Sequence, residues 1–137
     1  MIARPAAAAP AQRQTLVLED FPRPEIARAL SPNGRAHWAS KRMARMDAAS
    51  LVVVEATRSG LRPIAGPVRL TLTYVYPEQR KRDIDNLTTG VTKVVIDTLV
   101  RGRWIAADDS EHVRAVTVQP VVERGRRALI VTLEPAE

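Results

Sequence analysis

The chain contains no cysteine, which excludes disulfides, thiolate metal sites and a cysteine nucleophile, and fits a reducing, cytoplasmic setting. Aromatic residues make up only 4%, too few for a protein that grips single strands by stacking base after base. No apolar run approaches the roughly 18 residues that a membrane helix needs, so a soluble protein without a membrane partner is expected. The two histidines, His37 and His112, stand alone in the sequence and read as surface or structural residues.

Positive charge is what the chain has in excess. Lys and Arg total 21 against 15 acids, a net charge of +6 and a pI near 10.7. Such an excess attracts polyanions through counterion release, which makes nucleic acid the first partner to consider. The length of 137 residues suits one domain, so all motifs are read as parts of one site. Met1 to Gln14 is rich in Ala, Pro and Gln; Pro5 and Pro10 interrupt its alanines and leave no apolar h-region of about 7 residues. It reads as a disordered tail ahead of a single domain at 15–137.

Along the domain, Thr15 to Glu19 (TLVLE) alternates as a short, edge-type strand. Leu30 to Arg35 (LSPNGR) is a turn by its Ser-Pro and Asn-Gly content, leading into a helix from Ala36 to Ser59 capped by Gly60. Its packing face is read from Trp38, Met46, Ala49, Val53 and Ala56. Val68 to Val75 (VRLTLTYV) is the clearest strand. Asn86 to Val100 carries an apolar stripe of Leu87, Val91, Val94, Val95, Thr98 and Leu99 at helical spacing, with Asn86, Gly90, Lys93 and Asp97 opposite it and Gly102 as its stop. Val113 to Val122 and Ala128 to Leu133 alternate as strands, with a hairpin expected at Gly125. The pattern predicts an α/β (α+β) domain, a mixed sheet with two covering helices in the order β-α-β-α-β-β.

The stretch Arg80 to Asn86 (RKRDIDN) joins the clear strand to the following helix. In extended backbone Asp83 and Asp85 point to the same side, with Ile84 opposite. Two converging carboxylates repel unless a cation lies between them, and a hard, octahedral ion such as Mg²⁺ suits oxygen ligands completed by water and phosphate. Arg80, Lys81 and Arg82 stand ready to hold a phosphodiester, so the combination points to metal-assisted phosphoryl transfer to water. The alternative is structural: Asp85 caps the helix and Asp83 pairs with an arginine.

A second acidic cluster, Asp108, Asp109 and Glu111, lies between the second helix and the next strand. A right-handed crossover is expected to return it toward the same end of the sheet as Asp83 and Asp85; otherwise it is a solvated turn. Lys93 lies roughly two helical turns beyond Asp85, near the same helix face. There it steadies charge on a phosphate or merely forms an i,i+4 pair with Asp97.

RDIDNLTTGVTKVVIDTL followed by DDSEHV resembles the RusA-type Holliday junction resolvases, whose signature combines a basic residue, DxDN, a helical lysine, a helical aspartate and a later DD pair. LSPNGRAHW resembles that family's N-terminal loop, so the likeness spans about residues 30 to 133. The resemblance implies a homodimer of mixed α/β fold that cuts four-way DNA junctions with Mg²⁺, or Mn²⁺ in its place. It makes Asp83, Asp85 and Asp109 the catalytic metal ligands, Asp108 the neighbouring acid and Lys93 the counterpart of the catalytic lysine. Asn33 and Arg35 join Arg80, Lys81 and Arg82 as DNA-contacting residues. In one departure Thr89 stands where the lysine is usual and Lys93 follows a turn later; the same shift of Asp97 suggests an inserted helical turn. Two rivals stay open: a non-enzymatic basic DNA-binding protein, and a related nuclease acting on forks, flaps or duplex.

Overall fold

A computed structural model describes residues 12–31, 37–82 and 87–136. Four strands and three helices follow in the order β1 (Gln14–Glu19), α1 (Pro24–Leu30), α2 (Trp38–Arg58), β2 (Val68–Tyr76), α3 (Val91–Arg101), β3 (Val113–Val122) and β4 (Ala128–Pro135). The strands form one mixed sheet ordered β1-β4-β2-β3.

Alternation in β2 decides which side of the sheet is covered. Val68, Leu70, Leu72 and Tyr74 are buried while Arg69 is exposed, as the two-residue period of a strand requires. Against this face lie Val91, Val95 and Leu99 of α3 and the α2 stripe Ala44, Ala48, Val52 and Ala56, with Leu16 and Leu18 of β1 and Leu129, Val131 and Leu133 of β4 completing the core.

The α2 stripe differs from the one read in the sequence. Of Trp38, Met46, Ala49, Val53 and Ala56 only Ala56 is buried, and Trp38, Met46 and Val53 are exposed. Small residues repeating every four positions let α2 lie close against its neighbours. The larger side chains, although more hydrophobic, are turned outward.

Three further expectations are corrected. A third helix, α1, joins the two foreseen and packs against α2; it starts with Pro24 in its first turn and buries Ile26 and Leu30, a length too short for periodicity to reveal. The Gly125 turn closes no hairpin. β3 pairs only with β2, in parallel, while β4 inserts antiparallel between β1 and β2. The turn instead passes over the end of β2, where Glu123 N donates to the Tyr76 carbonyl at 2.9 Å and Arg126 pairs with Glu123 at 3.0 Å and with Glu19 at the end of β1.

The third correction falls beside the candidate site. The helix expected over Asn86 to Val100 is not continuous: Leu87 and Thr88 are helical, the chain turns at Gly90, and α3 starts at Val91. Gly90 has φ +55°, and a Cβ there would lie 2.6 Å from the Leu30 carbonyl oxygen. Glycine therefore serves both a left-handed backbone and a close approach of α3 to the end of α1.

Candidate active site

β3 lies at the sheet edge, and an open cleft of about 370 Å³ lies between α3 and β3. Its floor is Val116 and Val118, which pair with Leu70 and Leu72 of β2. Its rim carries Thr89, Lys93, Asp97 and Asp108. Lys93 and Asp97 are one helical turn apart and so share a side of α3, and Asp108 reaches the cleft from the connection between α3 and β3. No ion pair joins Lys93 to Asp97 among the described residues. The structural alternative considered for Lys93, an i,i+4 pair, is therefore not what the structure holds.

The two adjacent acids take different places. Asp109 Oδ1 accepts hydrogen bonds from the backbone N–H of Glu111 and of His112, each at 3.0 Å, and lies 2.7 Å from His112 Nδ1. These contacts, the His112 side chain foremost, hold the Asp109 carboxyl below its ordinary range. The Asp109 carbonyl also accepts from Val113 N at 2.8 Å. Asp109 thus builds the turn that starts β3, whereas Asp108 faces the cleft with Lys93 and Asp97.

The position of this turn departs from the expected chain path. Val68 N donates to the His112 carbonyl at 2.8 Å, so the turn lies beside the first residue of β2, while Arg80, Lys81 and Arg82 follow its last. With β2 and β3 parallel, the DD pair and the basic run border opposite ends of the pair. The cleft along α3 spans the interval, reaching from Thr88 and Thr89 at one end to Asp108 at the other. Asp83, Asp85, Asn33 and Arg35 lie outside the described residues.

Asp97 and Asp108 both line the cleft, and carboxylate oxygens are the donors that a hard cation takes. Asp109, Glu111 and His112 also bring one ligand atom each within 4.8 Å of one another. The Asp109 oxygen of that second group already accepts from its own turn.

Arg80, Lys81 and Arg82 line a second cleft on the other side of the α3 start, bounded by Leu87, Gly90 and Val91. Arg82 donates to the carbonyls of Arg80 at 3.1 Å and Glu78 at 3.3 Å. Between the clefts, Tyr74 and Thr92 meet at 2.7 Å and the Thr92 hydroxyl donates to the Leu87 carbonyl. Burial holds the Tyr74 phenol well above its ordinary range, so it is a neutral donor. This chain ties β2 to the first turn of α3 and fixes Leu87 directly after the DIDN segment. Sequence reading missed it; the signal was a threonine at a position facing the core.

His37 caps α2, its Nδ1 accepting from Ala39 N at 3.2 Å, and His112 belongs to the Asp109 turn. No helix among the described residues is long and apolar enough to cross a membrane. No protein-family profile matches the chain, and no curated protein matches it.

Proposed function

We propose that the protein is a divalent-metal-dependent, structure-selective DNA endonuclease that resolves four-way junctions by paired phosphodiester hydrolysis. The carrying observation is the α3–β3 cleft, which gathers Lys93, Asp97 and Asp108 from two parts of the chain and borders the helical turn that follows DIDN. Support comes also from the RusA-like signature and the net charge of +6.

In this reading Asp97 and Asp108 would hold the cation within the cleft, Asp83 and Asp85 would act from the segment that leads into it, and Asp109 acts by shaping the turn that presents Asp108. A divalent cation held there would supply a coordinated water of lowered pKa and would offset the charge growing on the phosphate. Lys93, exposed and unpaired among the described residues, donates to a non-bridging phosphate oxygen. Arg80, Lys81 and Arg82 hold the flanking backbone by charge, contacts that position DNA without reading its sequence. Paired cuts in a four-way junction call for two symmetry-related sites, which a homodimer supplies.

The test is incubation with a labelled four-way junction and a matched linear duplex, each with Mg²⁺, Mn²⁺ or EDTA. Metal-dependent paired nicks confined to the junction are expected. Tight, salt-sensitive binding without scission under any metal would instead identify a non-enzymatic DNA-binding protein, and cutting of forks, flaps or plain duplex would replace junctions as the substrate.

A further inference from the structure

The cleft on the far side of the α3 start carries features that the cutting reaction leaves unused. Its volume is about 440 Å³, within the roughly 300–1,000 Å³ typical of small-ligand sites, which admits one nucleotide and not a duplex. Arg28, Arg80, Lys81, Arg82 and Arg127 line it against one carboxylate, Glu78. Glu78 lies 3.8 Å from Arg80; among the described residues Arg28, Lys81 and Arg127 pair with no carboxylate. These three come from α1, from the segment after β2 and from the residue before β4. Folding, not a run of basic sequence, has brought them together.

The cleft also has an aromatic wall. Tyr76 is half-buried and nearly parallel to Tyr74, with ring centroids 6.4 Å apart. The Arg82 guanidinium sits over the Tyr76 ring at 3.5 Å, and that of Arg127 lies 5.9 Å away. A planar cation over an aromatic face occupies the place that a nucleobase takes on a stacking platform. Among the described residues Arg82 donates to the carbonyls of Glu78 and Arg80 and pairs with no carboxylate, so leaving the ring breaks no ion pair among them. Scarce aromatics exclude a strand-long stacking surface, but one platform needs one ring.

We propose that this cleft takes a single unpaired nucleotide of a DNA substrate, its phosphate held by Arg28, Lys81 and Arg127 and its base stacked on Tyr76 where Arg82 now lies. The inference rests on the DNA-directed part of the function above and deepens it. A protein that captures one unpaired nucleotide prefers DNA whose strands are open at a branch or gap over continuous duplex.

The experiment uses the full chain in EDTA, a duplex with a short gap carrying 2-aminopurine, and the same duplex without the gap. Binding to the gapped DNA should quench 2-aminopurine in the wild type and in Tyr76→Trp. Tyr76→Leu should lose the quench and weaken gapped-DNA binding about tenfold, the effect of removing one base stack. The double variant Arg28→Gln/Arg127→Gln should flatten the plot of log K against log salt by about 0.7, one single-strand phosphate contact. No quench in the wild type, a quench that survives Tyr76→Leu, or an unchanged salt slope in the double variant would overturn the proposal. Cleavage assayed separately with Mg²⁺ distinguishes the two ideas: quenching without cleavage defeats only the nuclease reading, and cleavage without quenching defeats only the nucleotide site.

Discussion

The phenol of Tyr74 and the hydroxyl of Thr92 meet at 2.7 Å in the core, joining strand β2 to the first turn of α3 immediately beside both clefts. Thr92 is the centre of this chain, accepting from Tyr74 and donating to the Leu87 carbonyl. Tyr74→Phe removes one donor and leaves the Thr92 to Leu87 bond intact, so a loss of about 1 kcal/mol is expected. Thr92→Val strands two buried polar groups and should cost more, roughly 2–4 kcal/mol. Urea midpoints at constant m-value check the order; a Thr92→Val variant as stable as Tyr74→Phe would contradict it.

Gly90 is the second constraint on the same turn. Alanine there meets a left-handed backbone and a Leu30 carbonyl oxygen 2.6 Å from its Cβ. Gly90→Ala should lose on the order of 1–3 kcal/mol and displace the helical turn that follows DIDN. Gly60, also at positive φ but with open space around it, is the control and should lose less on the same substitution. Equal losses would show that the contact with Leu30 is not what matters.

The Asp109 turn predicts a pH dependence. Its carboxyl lies below the ordinary value of 3.8, chiefly through the His112 side chain. A depressed folded-state pKa contributes stability that is present above the unfolded value and lost as pH falls through the folded one. The contribution therefore holds from about pH 4 upward and fades below it. Thermal melts of wild type and His112→Ala should diverge above that point and converge in stronger acid. Parallel curves across the acid range would remove Asp109 from the account.

Much of this architecture was legible in the sequence where one side chain pattern had one meaning. The period-two run in β2 and the apolar stripe of Val91, Val95 and Leu99 predicted buried faces that the structure contains. The α2 face was misread because hydrophobicity ranked Trp38, Met46 and Val53 above alanines, whereas close helix packing selects Ala44, Ala48 and Val52. The order of the sheet was not legible: β4 passes β3 and pairs with β2 and β1, and a Gly125 turn looks the same in a hairpin and in a crossover. In the candidate site, Asp108 and Lys93 were both named, and the structure brings them to one cleft with Asp97. Which member of the DD pair faces that cleft depends on the hydrogen bonds of the turn, which spacing alone does not encode.

That division of labour between Asp108 and Asp109 leads to a kinetic prediction. Lys93→Met should slow cleavage about a hundredfold, as loss of one preorganised donor to the transition state does, while Asp109→Asn should act mainly through the turn and lower stability. Cleavage rates paired with melting temperatures separate the two effects. If Asp109→Asn abolished cutting with an unchanged melt, Asp109 itself would belong to the metal site.

The central claim is that one metal-assisted site draws on both the DIDN segment and the α3–β3 cleft. Single-turnover cleavage of a labelled four-way junction by Asp85→Asn and Asp108→Asn, with binding followed in EDTA, tests it most directly. Both variants are predicted to lose about a hundredfold or more in cutting rate while binding the junction at least as tightly as the wild type, since each substitution removes a repelling charge. Wild-type cutting by Asp108→Asn, or loss of binding together with cutting in both variants, would contradict it.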